Sequence, residues 1–572
     1  MFTSTRVAAI IVVCLFILSC IPILIKHHTL VHDPWIINDD QRAQIFEFYY
    51  EDGERIFKGD YIADYYDQAF FPSGFSLLYS VAGFMGDPLV FSKYLQEFLF
   101  LVFLAFLFLI GKDHENFLVG MLCLLCGFLS VHYLGRFAGG LPRAFSFTLI
   151  AGFCWGLIRG NLWIIIPTLL LQVFFYPPSA LPCCIAFAVW LLFPQLTGRD
   201  AKKFNMKKRI FILALVGMLS FISVLPHIVS FHSYGDRITD QNMHDYPEIG
   251  QNGRYRNNPY FIPPFPSLTK QVARTAKISF SGNGLLDISD RGKNVLLVLA
   301  GVVSLIGWSF LIYRRDKACA LLILLASGGL GYQLAVWLWP YLFIPQRSVL
   351  YALPIALHTG LVFGSIEFFK NVFKKIRLSN YDTAIAIASL SLFILMTAFL
   401  VDKNLPVIGL RSEHEKAPFY NYLKYNLPQT ALLAGFPEDV DSIPLLSKKR
   451  ILVGKETYLI YYTEYVSEMR RRTIAVIDAF FSDNIQAVKR LRDEFRVTHL
   501  IFNRKYYQPV YDENGHYAGI YIPDFFAPHD TYLKTLVMDV PLEKRAILRI
   551  ADDLEKMRIG SISILDLSKL PE

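Results

Sequence analysis

The chain has 572 residues, of which 54% are hydrophobic and only 18% charged, a balance that excludes a soluble globule of this length. Aromatic residues make up 15%, which suits helices facing lipid and their interfacial belts. The net charge of +8 does not indicate nucleic-acid binding, because much of the basic excess lies in short loops between apolar segments, where it sets membrane orientation.

A helix that crosses a bilayer needs about 20 mostly apolar residues. Segments of this kind are predicted near 6–26, 94–111, 116–134, 143–159, 161–176, 179–197, 210–231, 294–313, 318–339, 348–369 and 382–401, about eleven spans in all. The first has no small-residue cleavage motif and runs into Lys26-His27-His28, as an uncleaved span does and a signal peptide does not. Pro167, Pro177, Pro178 and Pro182 interrupt the segments between 143 and 197, which leaves the count there open by one or two. All eight cysteines lie inside apolar segments, so no disulfide framework is implied in the polar regions, and Cys123 and Cys126 read as packing residues.

Three loops are strongly basic. They hold Arg199, Lys202, Lys203, Lys207, Lys208 and Arg209, then Arg314, Arg315 and Lys317, then Lys370, Lys374, Lys375 and Arg377. Eleven spans put all three on the side of the N-terminus, and the positive-inside rule makes that side cytoplasmic. Residues 27–93, 232–293 and 402–572 then lie outside. The first of these mixes Trp35, Phe46, Phe48, Tyr49, Tyr50, Ile56 and Phe57 with acidic residues, a pattern predicting amphipathic helices in the membrane interface. The second contains Asn257-Asn258-Pro259 and Ile262-Pro263-Pro264, which resist helix and strand and predict a loop that orders on packing or binding.

The tail reads as a small α/β domain. Helices are predicted at about 415–426, 456–472, 483–496 and 541–557, and strands at Ala431–Leu433, Ile451–Val453, 498–502 and 562–565. No glycine-rich phosphate fingerprint follows any strand, so a nucleotide site is not supported. There is no internal repeat, and no Asn-x-Ser/Thr sequon occurs.

Chemistry is expected where ionisable groups meet the outer membrane surface. Asn38-Asp39-Asp40-Gln41-Arg42 follows the first span by a dozen or so residues. A carboxylate there can deprotonate or orient an acceptor hydroxyl or amine, whereas the bland alternative is a solvated acidic loop. Asp60, Asp64 and Asp67 are secondary acidic candidates, against which a surface or structural role weighs. Short external loops should be poor in arginine, and Arg136, Arg143 and Arg347 break that rule. Arg136 and Arg143 flank Ala138-Gly139-Gly140-Leu141-Pro142, a turn predicted to bring backbone amides near an anion, and Arg347 follows Pro345-Gln346. These arginines suit a lipid-linked phosphate, and interfacial snorkelling is the competing account. Loop 232–293 adds Arg254, Arg256, Lys270, Arg274 and Lys277, with Tyr255 and Tyr260 between them, a mix suiting phosphate and sugar or a loop resting on anionic lipid. His27, His28 and His32 lie near Asp33, Asp39 and Asp40, but the spacing fits no standard zinc pattern and no metal is assigned. His227 and His232 read as interfacial.

Residues 39–95 resemble the GT-C class of membrane glycosyltransferases, and within it the group of the lipid A aminoarabinose transferase and the protein O-mannosyltransferases. The matching stretch is Asp39-Asp40-Gln41-Arg42, Gly59-Asp60-Tyr61, Phe71-Pro72-Ser73-Gly74-Phe75, Leu77-Leu78-Tyr79 and Gly86. Where that group has a Lys-Pro-Pro-Leu stretch, this chain has Phe70-Phe71-Pro72-Ser73, so the lysine's contacts to a donor phosphate do not transfer. The resemblance implies a polytopic α-helical membrane module over 1–401 and an extracytoplasmic α/β domain over 402–572. It implies transfer of a sugar from a polyprenyl-phosphate carrier to a glycan, lipid or protein acceptor, with inversion, in a bacterial cytoplasmic membrane. The catalytic carboxylate of such enzymes maps to Asp39 or Asp40, which the pattern does not separate, and Arg136, Arg143, Arg347, Arg274 and Lys270 are the candidate phosphate-binding cations. Some members use a divalent metal and others do not. Two other readings compete: a non-catalytic envelope scaffold, and a transporter or flippase of lipid-linked sugars. The latter predicts charges deep in the spans and repeat symmetry, and the sequence has neither.

Overall fold

The structure is a computed structural model that describes residues 10, 14, 21–197, 205–229, 233–239, 241–250, 252–255, 263–280, 290–339, 344–375, 391–392, 409–511, 517–523 and 525–571. Most of the first and last predicted spans lies outside the described residues, as do Cys20, Arg199, Lys202, Lys203, His232, the stretch 256–262 with Arg256 and Tyr260, and Arg377; nothing is described of the His227 side chain.

The described residues are mostly helical up to residue 392, and an α/β domain follows at the C-terminal end. Among the described residues, Pro88–His114, Cys319–Trp337 and Gln346–Val372 are each long and apolar enough to cross a membrane. Phe117–Leu129 and Val131–Phe137 make a fourth if counted as one span bent by 65°. Ser73–Met85, Ala144–Arg159, Leu162–Phe175, Pro177–Leu192 and Val298–Tyr313 are shorter apolar helices.

Local sequence sets the helix ends. Asp87 caps Pro88–His114 by accepting from the amides of Leu89 and Val90 at 2.8 and 3.3 Å, with proline at the first position and Lys112 and His114 in the last turn. Asn116 then caps Phe117–Leu129 through the Val119 amide at 3.1 Å. Glycines allow the tightest crossing: a Cβ on Gly307, in helix Asp290–Tyr313, would stand 1.7 Å from the carbonyl oxygen of Gly364, in helix Gln346–Lys375. At one end of the bundle Lys370 pairs with Glu115, Arg314 with Glu367 at 2.5 Å, and Lys317 with the Asp113 carbonyl. The second and third basic loops therefore meet on one side.

At the other end, the first polar region folds into short pieces. Gln41–Gln44, Phe46–Phe48 and Tyr61–Tyr65 are helical, the last continuing through 66–70. Phe46, Phe48, Tyr49 and Phe57 are buried in the protein, and the Phe48 ring packs against Phe71 and against Phe75 and Tyr79 of the next helix. Their apolar surface is taken up by protein.

The tail carries a five-stranded sheet in the order Glu555–Ile559, Ile562–Asp566, His499–Asn503, Leu432–Gly435, Arg450–Ile451. The last three strands are parallel and the first two pair antiparallel. His499–Asn503 is buried at every position, as a central strand covered on both faces should be. Helices at Ala417–Asn426, Thr463–Phe481, Ile485–Asp493 and Ala546–Leu554 correspond to the predicted ones. The predicted helix to 557 stops at Leu554, because Met557–Ile559 pair with Ile562–Ile564 around a turn at Gly560 (φ +60°). Helix His529–Asp539 and the hairpin of Pro509–Tyr511 with Tyr517–Ile520 carry no sequence expectation.

The external pieces lock together. Ile36–Ile37 pair antiparallel with Arg411–Ser412, Ile238 N–H donates to the Tyr461 carbonyl at 3.1 Å, Thr463 N–H donates to the Asp236 carbonyl at 2.9 Å, and Tyr65 stacks on Tyr465 at 3.6 Å.

Candidate active site

A cavity of about 510 Å³ opens where the helix ends, the two polar loops and residues 456–462 of the tail converge. Its lining includes Asp40, Arg136, Arg143, Arg347, Arg237, Arg254 and Glu456, with Tyr66, Phe70, Tyr176, Tyr255, Trp339, Tyr461 and Tyr462. Residues more than four hundred apart in sequence thus share one chamber.

Asp40 is aimed by a tight turn. Its amide donates to Asn38 Oδ1 at 3.1 Å, and the Asn38 amide donates to Gln41 Oε1 at 2.6 Å. Gln41, itself buried, donates from Nε2 to Ser92 Oγ at 2.8 Å and to the Gly139 carbonyl at 3.3 Å. This pins the turn to helix Pro88–His114 and to the loop before Ala144–Arg159. Arg143, immediately before that last helix, donates one nitrogen to Asp40 Oδ2 and another to Asn38 Oδ1 at 3.0 Å. Asp40 Oδ1 has no hydrogen-bond partner among the described residues, and the side chain is 35% exposed. Burial pushes the Asp40 carboxyl up, but Arg143, with Arg347 and Arg136 at longer range, outweighs it and holds the carboxyl below the usual carboxylate range. Asp40 is therefore an ionised acceptor with one oxygen held and one available.

Arg347, in the first turn of its helix, donates to Tyr176 Oη and lies 5.3 Å from that ring's centroid. Arg136, in the last turn of Val131–Phe137, has no hydrogen bond or ion pair among the described residues. Three guanidiniums thus share one end of the cavity with a single carboxylate, an excess of positive charge that an anion would neutralise.

The Gly139-Gly140 turn between the two arginines does not offer its amides as predicted. Gly139 N–H donates to Gln96 Oε1 at 2.7 Å and Gly140 N–H to the Phe137 carbonyl at 3.1 Å. The glycines serve close packing instead: both have positive φ (+92° and +62°), and a Cβ on Gly140 would stand 2.4 Å from the Ser92 carbonyl oxygen.

The tail side of the cavity is held by an ion-pair network. Arg254 donates to the carbonyls of Lys455 and Glu456 and pairs with the Glu456 carboxylate at 3.3 Å. Arg42, nearly buried, bridges Asp39, Asp441 at 3.6 Å and Glu456 at 3.7 Å, tying the first loop to the tail. Burial pushes the Asp441 carboxyl up to about 7 in spite of Arg42. Phe70 lies parallel to Tyr461 with centroids 6.4 Å apart, and Tyr255 and Tyr461 hydroxyls are 3.1 Å apart. Apolar and aromatic walls with a few fixed polar groups are the usual construction of a pocket for a small organic ligand.

The other sequence candidates lie elsewhere. Asp39 is 58% exposed, pairs with Arg42 and with Arg411 at 3.1 Å, and does not line the cavity. Asp60 caps helix Tyr61–Tyr65, accepting from the amides of Ile62 and Ala63, each at 3.0 Å. Asp67 pairs with Arg55 at 2.9 Å, and Asp64 is outside the cavity lining. Lys270 is exposed and Arg274 partly exposed on helix Leu268–Ser279, and neither lines the cavity. The histidines near Asp33 do not gather around Asp39 or Asp40: His28 and His32 meet Glu97, and Asp33 meets His414 at 2.9 Å. Both cavity carboxylates are held by guanidiniums among further arginines, a donor set that does not fit a resident divalent cation.

Glu456, Tyr461 and Tyr176 carried no site signal in the sequence. Glu456 and Tyr461 sit in the tail without a motif, and Tyr176 reads as one more aromatic in an apolar run.

No protein-family model and no curated protein sequence matches the chain. The structure is similar to that of an Archaeoglobus fulgidus oligosaccharyltransferase in its apo form, at TM-score 0.46 and 12% identity over 98% of this chain and 88% of that one. It is similar to the archaeal oligosaccharyltransferase AglB of the same organism, in complex with an inhibitory peptide and a dolichol-phosphate, at TM-score 0.44 and 11% identity over 93% and 78%. It is similar to ArnT from Cupriavidus metallidurans in the apo state, at TM-score 0.39 and 10% identity over 97% and 99%.

Proposed function

We propose that the protein is an integral-membrane glycosyltransferase of GT-C type, moving a sugar from a polyprenyl-phosphate donor to an acceptor on the extracytoplasmic side. The observation that carries this reading is the pairing, in one cavity, of an ionised carboxylate, one of whose oxygens has no hydrogen-bond partner among the described residues, with arginines that outnumber the carboxylates there among the described residues. A scaffold has no use for such a cluster, since each buried guanidinium without a counter-ion is costly.

The roles follow from the geometry. Arg136 and Arg347 receive the donor phosphate: among the described residues Arg136 has no hydrogen bond or ion pair, and Arg347 bonds a tyrosine hydroxyl. Both stabilise the charge that grows on the phosphate as the glycosidic bond breaks. The sugar lies against Phe70 and Tyr461. Asp40 accepts the proton of the attacking acceptor through Oδ1, while Arg143 on Oδ2 fixes its orientation and keeps it ionised. One displacement on the face opposite the phosphate inverts the anomeric carbon. The proposal includes about eleven spans with the N-terminus in the cytoplasm of a bacterium, a membrane module to about residue 401 and an extracytoplasmic domain from 402 to 572.

The test is transfer by purified protein in lipid, from radiolabelled polyprenyl-phosphate sugars to acceptors in a membrane extract. Wild-type transfer that Asp40→Asn abolishes in a folded protein supports the reading. A protein that binds lipid-linked sugars but transfers none, with or without Asp40, defeats it.

A further inference from the structure

A second cluster of ionisable side chains lies apart from the cavity. Residues 21–31 are helical, and His28 and His32, four positions apart, project from one face at its outer end. Glu97, on helix Pro88–His114, faces them both. His28 Nδ1 is 2.9 Å from Glu97 Oε1, and His32 Nε2 is 3.2 Å from Glu97 Oε2. One ligand atom from each of the three residues falls within 4.8 Å of the others.

A simple helix-to-helix ion pair needs one histidine. Here two imidazoles converge on the same carboxylate, with ring centroids only 4.3 Å apart and planes tilted by 54°, so they do not stack flat. Each imidazole has a ring nitrogen that can offer a lone pair, and both of these nitrogens face the one carboxylate. Ligand atoms about 2.0–2.2 Å from one metal stand about 2.8–3.6 Å apart in tetrahedral or octahedral geometry. The two nitrogen–oxygen separations fall within that range.

We propose that His28, His32 and Glu97 bind one borderline divalent cation, zinc(II) or a close neighbour in that series, with water completing the coordination. Two imidazoles and one carboxylate suit such ions. Calcium and magnesium need more oxygen ligands than the cluster has. The place for the water is the adjoining cavity of about 210 Å³, which His28, Glu97 and Gln96 line at its polar end and Phe100 and Leu134 at its apolar end.

The bound ion clamps the first described helix to Pro88–His114, next to the contacts that position the catalytic turn. Lys93 of the second helix donates to the Asp33 carbonyl, and Gln96 accepts from the Gly139 amide at 2.7 Å. The site is structural and independent of the transfer reaction.

The test uses untagged full-length protein in nanodiscs, stripped with chelator and titrated with Co²⁺ alone. The expected result is one Co²⁺ per chain, with visible d–d bands that one equivalent of Zn²⁺ abolishes. His28→Ala, His32→Ala and Glu97→Gln each weaken binding by about tenfold or more, while His27→Ala leaves it unchanged. Wild-type protein that binds no Co²⁺ overturns the proposal without reference to any variant. So does binding at full stoichiometry and affinity in the folded His28→Ala/His32→Ala double variant.

Discussion

Replacing Asp40 by asparagine removes one negative charge and the proton-accepting capacity while keeping the shape and an acceptor oxygen for Arg143. The structure separates what is lost from what is kept. Oδ2 holds Arg143, which also bonds Asn38, so the turn survives with a neutral acceptor. Oδ1 is the free oxygen, and an amide there cannot take a proton. Loss of a positioned general base costs about a hundred- to ten-thousand-fold in rate. At 1.36 kcal/mol per decade that is about 3–5 kcal/mol of transition-state stabilisation. Asp39→Asn is the matched control. Its side chain is 58% exposed and engages Arg411 and Arg42 at the surface of the cavity's rim, so neutralising it disturbs pairs worth about 0–1 kcal/mol and transfer should fall by less than about fivefold. The assay is single-turnover transfer in lipid vesicles with saturating donor, with thermal unfolding of each variant alongside. Loss of transfer in Asp39→Asn with retention in Asp40→Asn would refute the assignment, because it would place the base on a residue that does not line the cavity. Retention in both would refute the carboxylate mechanism itself.

Arg136→Ala should raise KM for the lipid-linked donor by about ten- to a hundredfold, the worth of a charge-assisted phosphate contact, and should not lower the melting temperature, because Arg136 has no hydrogen bond or ion pair among the described residues. The acid limb of kcat/KM should lie below the usual carboxylate value of 3.8, since Arg143 favours the ionised form of Asp40 and protonation waits until the pH falls through that lowered value. Arg143→Gln leaves burial opposed only by the distant arginines, so the limb should move upward, and a limb that stays in place would show that Asp40 does not govern it. Asp441 supplies a pH dependence of opposite sign: its carboxyl is raised to about 7 in the fold, so the stability it contributes is full below the unfolded value and is lost as pH rises through about 7. The melting temperature should fall across that window, and Asp441→Asn should flatten the decline.

How far the site could be read from the chain depends on what kind of signal each residue leaves. Asp40, Arg136, Arg143 and Arg347 were visible because each is a charge where the membrane setting disfavours one, and a cost of that kind needs no structure to notice. The choice between Asp39 and Asp40 was not visible. Neighbours in sequence share every compositional property, and it is the Asn38–Gln41 hydrogen bonds that turn one carboxylate toward Arg143 and the other toward Arg411. The first-loop aromatics show the same limit from another side. An apolar stripe states that a surface will be buried but not by what, and here the partner is helix Ser73–Met85 and the tail, not lipid. Glu456 and Tyr461 could not have been found at all from local pattern. Their place in the cavity follows from three long-range pairings: Ile36–Ile37 with Arg411–Ser412, Ile238 with Tyr461, and Arg42 with Asp441 and Glu456. The same network gives the tail a direct part in building the cavity, since Asp441 and Glu456 hold Arg42 of the first loop from that side.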